Sequence, residues 1–123
     1  MAAIIVGSGP MEGVYLPLRH KTAIVGRGEA VDLQIVEDSI SRKHLRIQFD
    51  TDEERYVALD MGSRNGSWIN GQPLKNETFL QPDDEIVVGN TKLLFSVTVP
   101  KDKANALEIY QSAGQRRYST RRV

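Results

Sequence analysis

Three short segments of the 123-residue chain gather the side chains best suited to chemistry on an anion. They are Gly26-Arg27-Gly28, then Ser39-Ile40-Ser41-Arg42-Lys43-His44, then Gly62-Ser63-Arg64-Asn65-Gly66. Together they offer Arg27, Arg42, Lys43, Arg64, Asn65 and three serines, with Glu29 the one carboxylate close by. This is the composition of a pocket for a phosphate-like anion. The planar arginine fork can bond two oxygens at once. Serine hydroxyls and loop N–H groups can supply the remaining contacts. The competing account is three unrelated surface loops that happen to be basic, and composition alone leaves both open.

Other chemistries fit less well. Ser41, His44 and Asp60 are the residue types of a nucleophilic triad, but nothing in the chain marks a nucleophile elbow or an oxyanion hole. The stretch from Ile4 to Gly13 is glycine-rich. Its third glycine falls one position late for a dinucleotide fingerprint, Pro10 interrupts the loop, and a strand follows where a helix is needed. Acidic clusters at Asp50–Glu54 and Asp83–Glu85 lack the spacing of a calcium loop and read as solvated turns. His20, between Arg19 and Lys21, reads as a surface residue.

Loops at such positions need strands to hold them. Apolar residues recur in short runs at Ile4–Val6, Val14–Leu18, Thr22–Val25, Leu33–Val36, Leu45–Phe49, Tyr56–Asp60, Ser67–Ile69, Glu77–Leu80, Glu85–Val88 and Lys92–Val99. Several alternate with period two, as in Leu45-Arg46-Ile47-Gln48-Phe49. Asn70-Gly71 between two runs is a hairpin signal of type I′. Asn65-Gly66 and Gly89-Asn90 tolerate positive φ. Closely spaced strands with turns between them predict an all-β fold, an antiparallel β-sandwich. In a sandwich the loops gather at two ends, so three of them can converge. After Pro100 the pattern changes: Asp102 can cap a short C-terminal helix ending near Gly114. Gln115–Val123 is polar and basic and reads as a disordered tail. The expected division is 1–100 for the folded body and 101–123 for the helix and basic tail.

Charge and composition bound the rest. Sixteen basic and sixteen acidic residues cancel, which argues against bulk binding to nucleic acid. The cancellation hides an acidic body and a basic end: residues 1–100 carry ten basic and fourteen acidic groups, and residues 101–123 carry six and two. The absence of cysteine excludes disulfides, thiol chemistry and cysteine-held metals. The apolar run Ala2–Val6 is far short of the ~20 residues of a membrane helix. No membrane insertion is expected, and a cytoplasmic location is the default.

The residues that remain resemble a known family. Gly26-Arg27, Ser41-x-x-His44, Asn65-Gly66 and Asn70-Gly71 occur in the order and spacing of the forkhead-associated (FHA) domain. The phrases Asp60–Gly71 and Asp83–Gly89 fit as well. Each motif alone is weak, and the combination, spanning about residues 3–98, is specific. The resemblance implies a sandwich of about eleven strands. It also implies a non-enzymatic module without cofactor that recognises phosphothreonine in partner proteins, in Ser/Thr-kinase signalling. Its partner would be a phosphothreonine-containing protein or peptide, such as a kinase or a kinase substrate. The alternative is a scaffold that binds an unmodified partner.

By the same resemblance, Arg27 and Ser41 would grip the phosphate and Arg42 would add a charged contact. Arg64 and Asn65 would line the peptide path, with Asn65 bonding its backbone. Gly26, His44, Gly66 and Asn70 would support the loops. Ser67 stands where the family often has threonine, a change that keeps a hydroxyl. Ser39 stands where some members carry a basic residue, which leaves the selectivity beyond the phosphothreonine open. In the tail, Arg116-Arg117-Tyr118-Ser119-Thr120 has the look of a basophilic kinase site. Ser119 and Thr120 are candidate phosphosites that could dock in an FHA pocket, the chain's own or a neighbour's.

Overall fold

The computed structural model describes the backbone of residues 1–121 and the side chains of residues 1–116. The strands are β1 (Ala3–Val6), β2 (Tyr15–Pro17), β3 (Ala23–Gly26), β4 (Leu33–Gln34), β5 (Leu45–Asp50), β6 (Arg55–Asp60), β7 (Ser67–Ile69), β8 (Gln72–Pro73), β9 (Thr78–Phe79), β10 (Glu85–Val88) and β11 (Thr91–Ser96), followed by helix α1 (Lys103–Arg121). They form two sheets, in the orders β2-β1-β11-β10-β7-β8 and β4-β3-β5-β6-β9. Pairing is antiparallel throughout, except that β3 and β4 run parallel over two residue pairs.

The period-two reading predicts which side chains meet between the sheets. In β5, Leu45 and Ile47 are fully buried, while Gln48 faces solvent. They sit in register with Asp60 and the buried Ala58 of β6. Ile4, Val6, Val25, Ile40, Ile86, Val88 and Leu93 complete the centre of this core. The turn chemistry also holds. Asn70 and Gly71 take φ of 49° and 84° and join β7 to β8, the backbone a type I′ turn requires. The Asp50–Glu54 tip closes on itself, with the Asp50 carboxylate accepting from the Asp52 and Glu53 N–H groups.

Strand β8 has no apolar signal to betray it. It is two exposed residues long and includes Pro73, which a sheet tolerates only at its edge or its ends. Strand β1 departs from alternation for the opposite reason: all four of its residues are buried. Ile4 and Val6 enter the sandwich core, whereas Ile5 points to the outer face and meets Leu94, Ala106 and Ala113 beneath α1. Within the unbroken run Ala2–Val6, Ala3–Val6 is therefore a strand covered on both sides.

Helix α1 starts where the capping signal places it. The Asp102 carboxylate accepts from the Asn105 N–H at 2.8 Å, and the Asn105 side chain accepts from the Lys101 N–H at 2.9 Å. This reciprocal arrangement satisfies two exposed donors. The helix does not stop at Gly114, which is absent from the positive-φ glycines, and it continues to Arg121. The physical reason is its docking. The Tyr110 hydroxyl bonds Glu85 at 2.9 Å, and the Arg116 guanidinium makes a two-point contact with Asp83 at 2.8 and 3.0 Å. The helix is thus tied to the sheet on both sides of Gly114. The expected disordered tail is replaced by helical backbone as far as Arg121. The side chains of Ser119 and Thr120 lie outside the described residues.

Gly7 makes this docking possible, because a Cβ there would overlap the Tyr110 ring. Gly7→Ala should cost about 1–3 kcal/mol of stability through overpacking. Urea unfolding measures it, with amide exchange across α1 rising in parallel. Unchanged values for both would mean that the Tyr110 contact contributes nothing.

Candidate functional site

The arginine after β3 is set by main-chain contacts with the connection between β4 and β5. The Arg27 N–H donates to the Ser41 carbonyl at 2.9 Å, and the Gly28 N–H donates to the Arg42 carbonyl at 3.1 Å. This approach is close because residue 26 is glycine: a Cβ there would overlap the Arg42 carbonyl. The Arg27 Nε donates to the Ile40 carbonyl at 3.0 Å. That contact anchors the side chain at Nε, leaving the two terminal nitrogens of the guanidinium for other acceptors.

His44, fully buried, joins two of the loops. Its Nδ1 accepts from the Ser41 N–H at 3.0 Å, so its Nε2 carries the proton and donates to the Gly66 carbonyl at 2.7 Å. Both ring nitrogens are thereby committed to backbone. The Ser41 hydroxyl bonds elsewhere, accepting from the Arg64 N–H at 3.0 Å. Ser41, His44 and Asp60 do lie together, with His44 Nε2 3.9 Å from the Asp60 carboxylate. Their bonding is nevertheless that of a braced loop, since the Ser41 hydroxyl and the imidazole do not bond each other. Because that hydroxyl accepts from Arg64, its own proton remains to be given to an incoming acceptor.

Asp60 organises the loop after β6. It accepts from the Ser63 N–H at 2.8 Å and from the Ser63 and Ser67 hydroxyls, both at 2.6 Å. Ser63 in turn accepts from the Gly66 N–H at 2.9 Å. The Ser67 hydroxyl is therefore used inward, on a carboxylate. Two residues of this loop reach across to the β4–β5 connection: Arg64 Nη2 donates to the Asp38 carbonyl at 2.6 Å, and Asn65 Nδ2 donates to the Ser39 carbonyl at 2.8 Å.

A second clamp holds that connection from behind. Glu37 accepts from the Ser39 hydroxyl, from the Asn90 N–H at 2.8 Å and from the Thr91 hydroxyl at 2.7 Å. The turn between β10 and β11 comes this near because Gly89, at φ 57°, presents no side chain to Glu37, Ser39 and Ile40. Sequence reasoning missed Glu37 and underrated Asp60. A signal for Asp60 existed in the spacing Asp60-x-x-Ser63, which suits a carboxylate that caps its own turn. Glu37 had none, because Asn90 and Thr91 lie 53 and 54 residues away.

The three basic segments thus converge at one end of the sandwich. Arg27, Gly28, Arg42 and Lys43 line an open groove of about 750 Å³ there, with Glu29, Val36 and Asp38 on its walls. Asp38 is a second carboxylate at the groove, one that counting Glu29 alone leaves out. Among the described residues, none of Arg27, Arg42, Lys43 and Arg64 forms an ion pair. Four cations therefore share one end of the molecule with no carboxylate bound to any of them.

Asn70 sits elsewhere. It bonds Asp84 at 2.8 Å and the Glu85 N–H at 2.9 Å, bracing the segment before β10 at the opposite end of β7 from Gly66. The Arg116–Asp83 contact lies toward that same far end, whereas Gly89, at the other end of β10, touches the basic loops. Arg116, the last described side chain of α1, is therefore held at the end away from the groove. Among the described residues no acidic or histidine cluster could hold a metal ion, and no helix is long and apolar enough to cross a membrane.

Residues 23–89 match the model of the FHA domain. The chain belongs to the FHA domain family. The match begins at β3 and ends at Gly89, so it contains all three of the converging loops. Among curated proteins, the oxoglutarate dehydrogenase inhibitor of Corynebacterium efficiens is 33% identical over 94 residues, covering 76% of this chain and 64% of the relative. The chain thus spans just under two thirds of that protein's length. Among solved structures, the FHA domain of an Arabidopsis thaliana hypothetical protein is 32% identical with a TM-score of 0.73, covering 82% of this chain and 89% of the other. The N-terminal FHA domain of a Saccharomyces cerevisiae protein, solved with a phosphothreonine peptide, shares the fold at a TM-score of 0.69 and 24% identity, covering 79% and 93%.

The carboxylate at the centre of this FHA loop gives a pH prediction. Partial burial opposes ionisation of Asp60, but the bonds from Ser63 and Ser67, with His44 nearby, outweigh it and hold the carboxyl below its ordinary range. A carboxyl lowered on folding stabilises the protein above its unfolded value of about 4. That stabilisation is lost as pH falls through the lower folded value. Asp60→Asn should therefore cost about 2 kcal/mol at neutral pH. The gap to wild type should narrow only below about pH 4, as chemical denaturation at a series of pH values will show. A gap independent of pH down to full acid unfolding would remove Asp60 ionisation from the account.

Proposed function

We propose that this FHA domain reads phosphothreonine in partner proteins, as a non-enzymatic module of Ser/Thr-kinase signalling. The observation that carries the reading is that Arg27 and Arg64 both bond Ser41, beside Arg42 and Lys43, and that none of the four cations forms an ion pair among the described residues. In this reading Arg27 and the Ser41 hydroxyl hold phosphate oxygens, and Arg42 adds a charged contact. Arg64 and Asn65 line the peptide path, where the Asn65 amide oxygen accepts from a peptide N–H while its nitrogen keeps Ser39 in place. Gly26, His44 and Gly66 hold the loops, and Asn70 braces the far end of β7. Residues 1–100 form the reader, and 101–123 form its covering helix and basic end. The bonds inside the loops set the donors before the ligand arrives, which lowers the ordering cost of binding. The yeast domain with the same fold and a bound phosphothreonine peptide is consistent with this reading.

Magnitudes support a modest affinity. A phosphothreonine carries about −1.5 to −2 charges at neutral pH. Each charged hydrogen bond contributes about 1.5–3 kcal/mol, against an association cost of about 4–15 kcal/mol. Micromolar binding, about −8 kcal/mol, is the expected scale. Amide NMR tests the placement directly. Adding a phosphothreonine peptide should shift Arg27, Gly28, Ser41, Arg42, Arg64 and Asn65. Shifts confined to the exposed sheet faces would instead favour the scaffold that binds unmodified partners.

A further inference from the structure

At the end of the sandwich opposite the groove lies an open cleft of about 650 Å³. Strands β3 and β5 meet the groove at Gly26 and Leu45, and their other ends, beside His20 and the Asp50–Glu54 tip, frame the cleft together with the connection from β9 to β10. Its floor is a run of rings. His20 stacks on Phe49 with centroids 4.0 Å apart, Phe49 packs edge-on against Tyr56 at 5.0 Å, and Tyr56 against Phe95 at 5.6 Å. Arg19 and His20 take φ of 53° and 58° to build it, a conformation disfavoured for residues with a side chain. That turn brings the His20 N–H to the Tyr56 hydroxyl at 2.9 Å. The hydroxyl accepts there, so its own proton remains for an acceptor such as a peptide carbonyl. Among the described residues, the large hydrophobic side chains left exposed are Met1, Val36 and Val97, and two of these, Met1 and Val97, line this cleft. Apolar surface beside a preformed concavity gains by being covered.

The charge favours a basic occupant. Glu54 lies on the cleft wall, with Asp52 and Glu53 exposed next to it on the tip. None of the three forms an ion pair among the described residues. Arg55, also on the wall, holds its guanidinium over the Phe79 ring at 4.3 Å, and Arg19 and Lys21 do not line the cleft. The wider field agrees. With the four cations of the groove end and its carboxylates Glu29, Glu37, Asp38 and Asp60 set apart, the rest of residues 1–100 carries six basic and ten acidic groups.

We propose that this cleft is a second binding site, one that takes a basic segment of a partner protein through a leucine, methionine or phenylalanine anchor, independently of phosphate. The anchor covers Val97 and the ring floor, and lysine or arginine beside it faces Glu54 and the tip. Because the two sites lie at opposite ends, the domain can hold two partners at once.

The probes are capped peptides in which Leu, Met or Phe stands between two lysine pairs, with counterparts that carry Ala at the centre or Glu in place of Lys. In amide NMR titrations the best probe should shift His20, Phe49, Glu54 and Tyr56. It should bind about tenfold more tightly than its alanine counterpart, the scale of one buried apolar side chain, and more tightly than its glutamate counterpart. Val97→Ser should lose most of the tenfold gain, and Glu54→Lys should weaken binding about threefold at low salt. Both variants should unfold in urea as wild type does and bind a phosphothreonine peptide as wild type does. An excess of that phosphopeptide should leave the probe in place. No preference for the apolar anchor or for lysine, a gain that survives Val97→Ser, or displacement by the phosphopeptide would overturn the second site. Self-association of the wild-type chain that Val97→Ser abolishes, read by sedimentation, would give the cleft to a second copy and overturn the basic partner.

Discussion

Arg27→Ala should weaken phosphothreonine-peptide binding by about 100-fold or more and leave the domain folded. The affinity loss follows from removing a guanidinium whose terminal nitrogens face no carboxylate partner. Two charge-assisted bonds at about 1.5 kcal/mol each amount to roughly two orders of magnitude in affinity. Stability should change by only about 1 kcal/mol, since the side chain makes one internal bond, from Nε to the Ile40 carbonyl. The main-chain contact from Arg27 to Ser41 survives the substitution. Arg27→Lys should recover part of the affinity, because an ammonium keeps the charge but loses the fork. Isothermal titration and urea unfolding on the same preparations separate the two effects. Phosphate-dependent binding that is undiminished in Arg27→Ala would refute the site assignment.

His44→Ala should be the more damaging change to the protein itself. His44 is fully buried, and its removal opens a cavity between two loops. It also strands the Ser41 N–H and the Gly66 carbonyl, each of which loses its imidazole partner. Unsatisfied groups of this kind cost about 1–3 kcal/mol each, so a total loss of about 3–5 kcal/mol is expected, with the cavity included. Binding should fall as well, because the Ser41 and Gly66 loops would no longer be held together. Thermal unfolding reads the first effect, and peptide titration at a temperature where the variant is folded reads the second. A variant of near wild-type stability would show that the loops are held by something other than the imidazole.

Much of this was legible in the chain. The alternation in Leu45–Phe49 and the Asn70-Gly71 turn are local signals, and local signals survive being read one segment at a time. The binding loops were legible because their residue types suit one chemistry, and because Gly26, Ser41, His44 and Asn65 stand in a spacing that resembles a family. Three features were not. Strand β8 is short, exposed and contains a proline, so neither propensity nor pattern marks it. The docking of α1 depends on Gly7 receiving Tyr110, residues far apart in the chain whose types separately suggest nothing. Glu37 reads as one acidic residue among many until the fold brings Asn90 and Thr91 to it.

The chain's charge balance takes on a different meaning once the groove is built. The formal net charge of zero spoke only against bulk electrostatic partners. The fold concentrates Arg27, Arg42, Lys43 and Arg64 at one end, and it draws Asp60 and Glu37 into hydrogen bonds within the loops. A local field of this kind suits one phosphate and does not require a basic protein.

The central claim is phosphate dependence, and a calorimetric titration of matched threonine and phosphothreonine peptides into the wild-type chain tests it most directly. The account predicts micromolar binding of the phosphorylated peptide and no measurable binding of the plain one. Equal affinity for the two would contradict it.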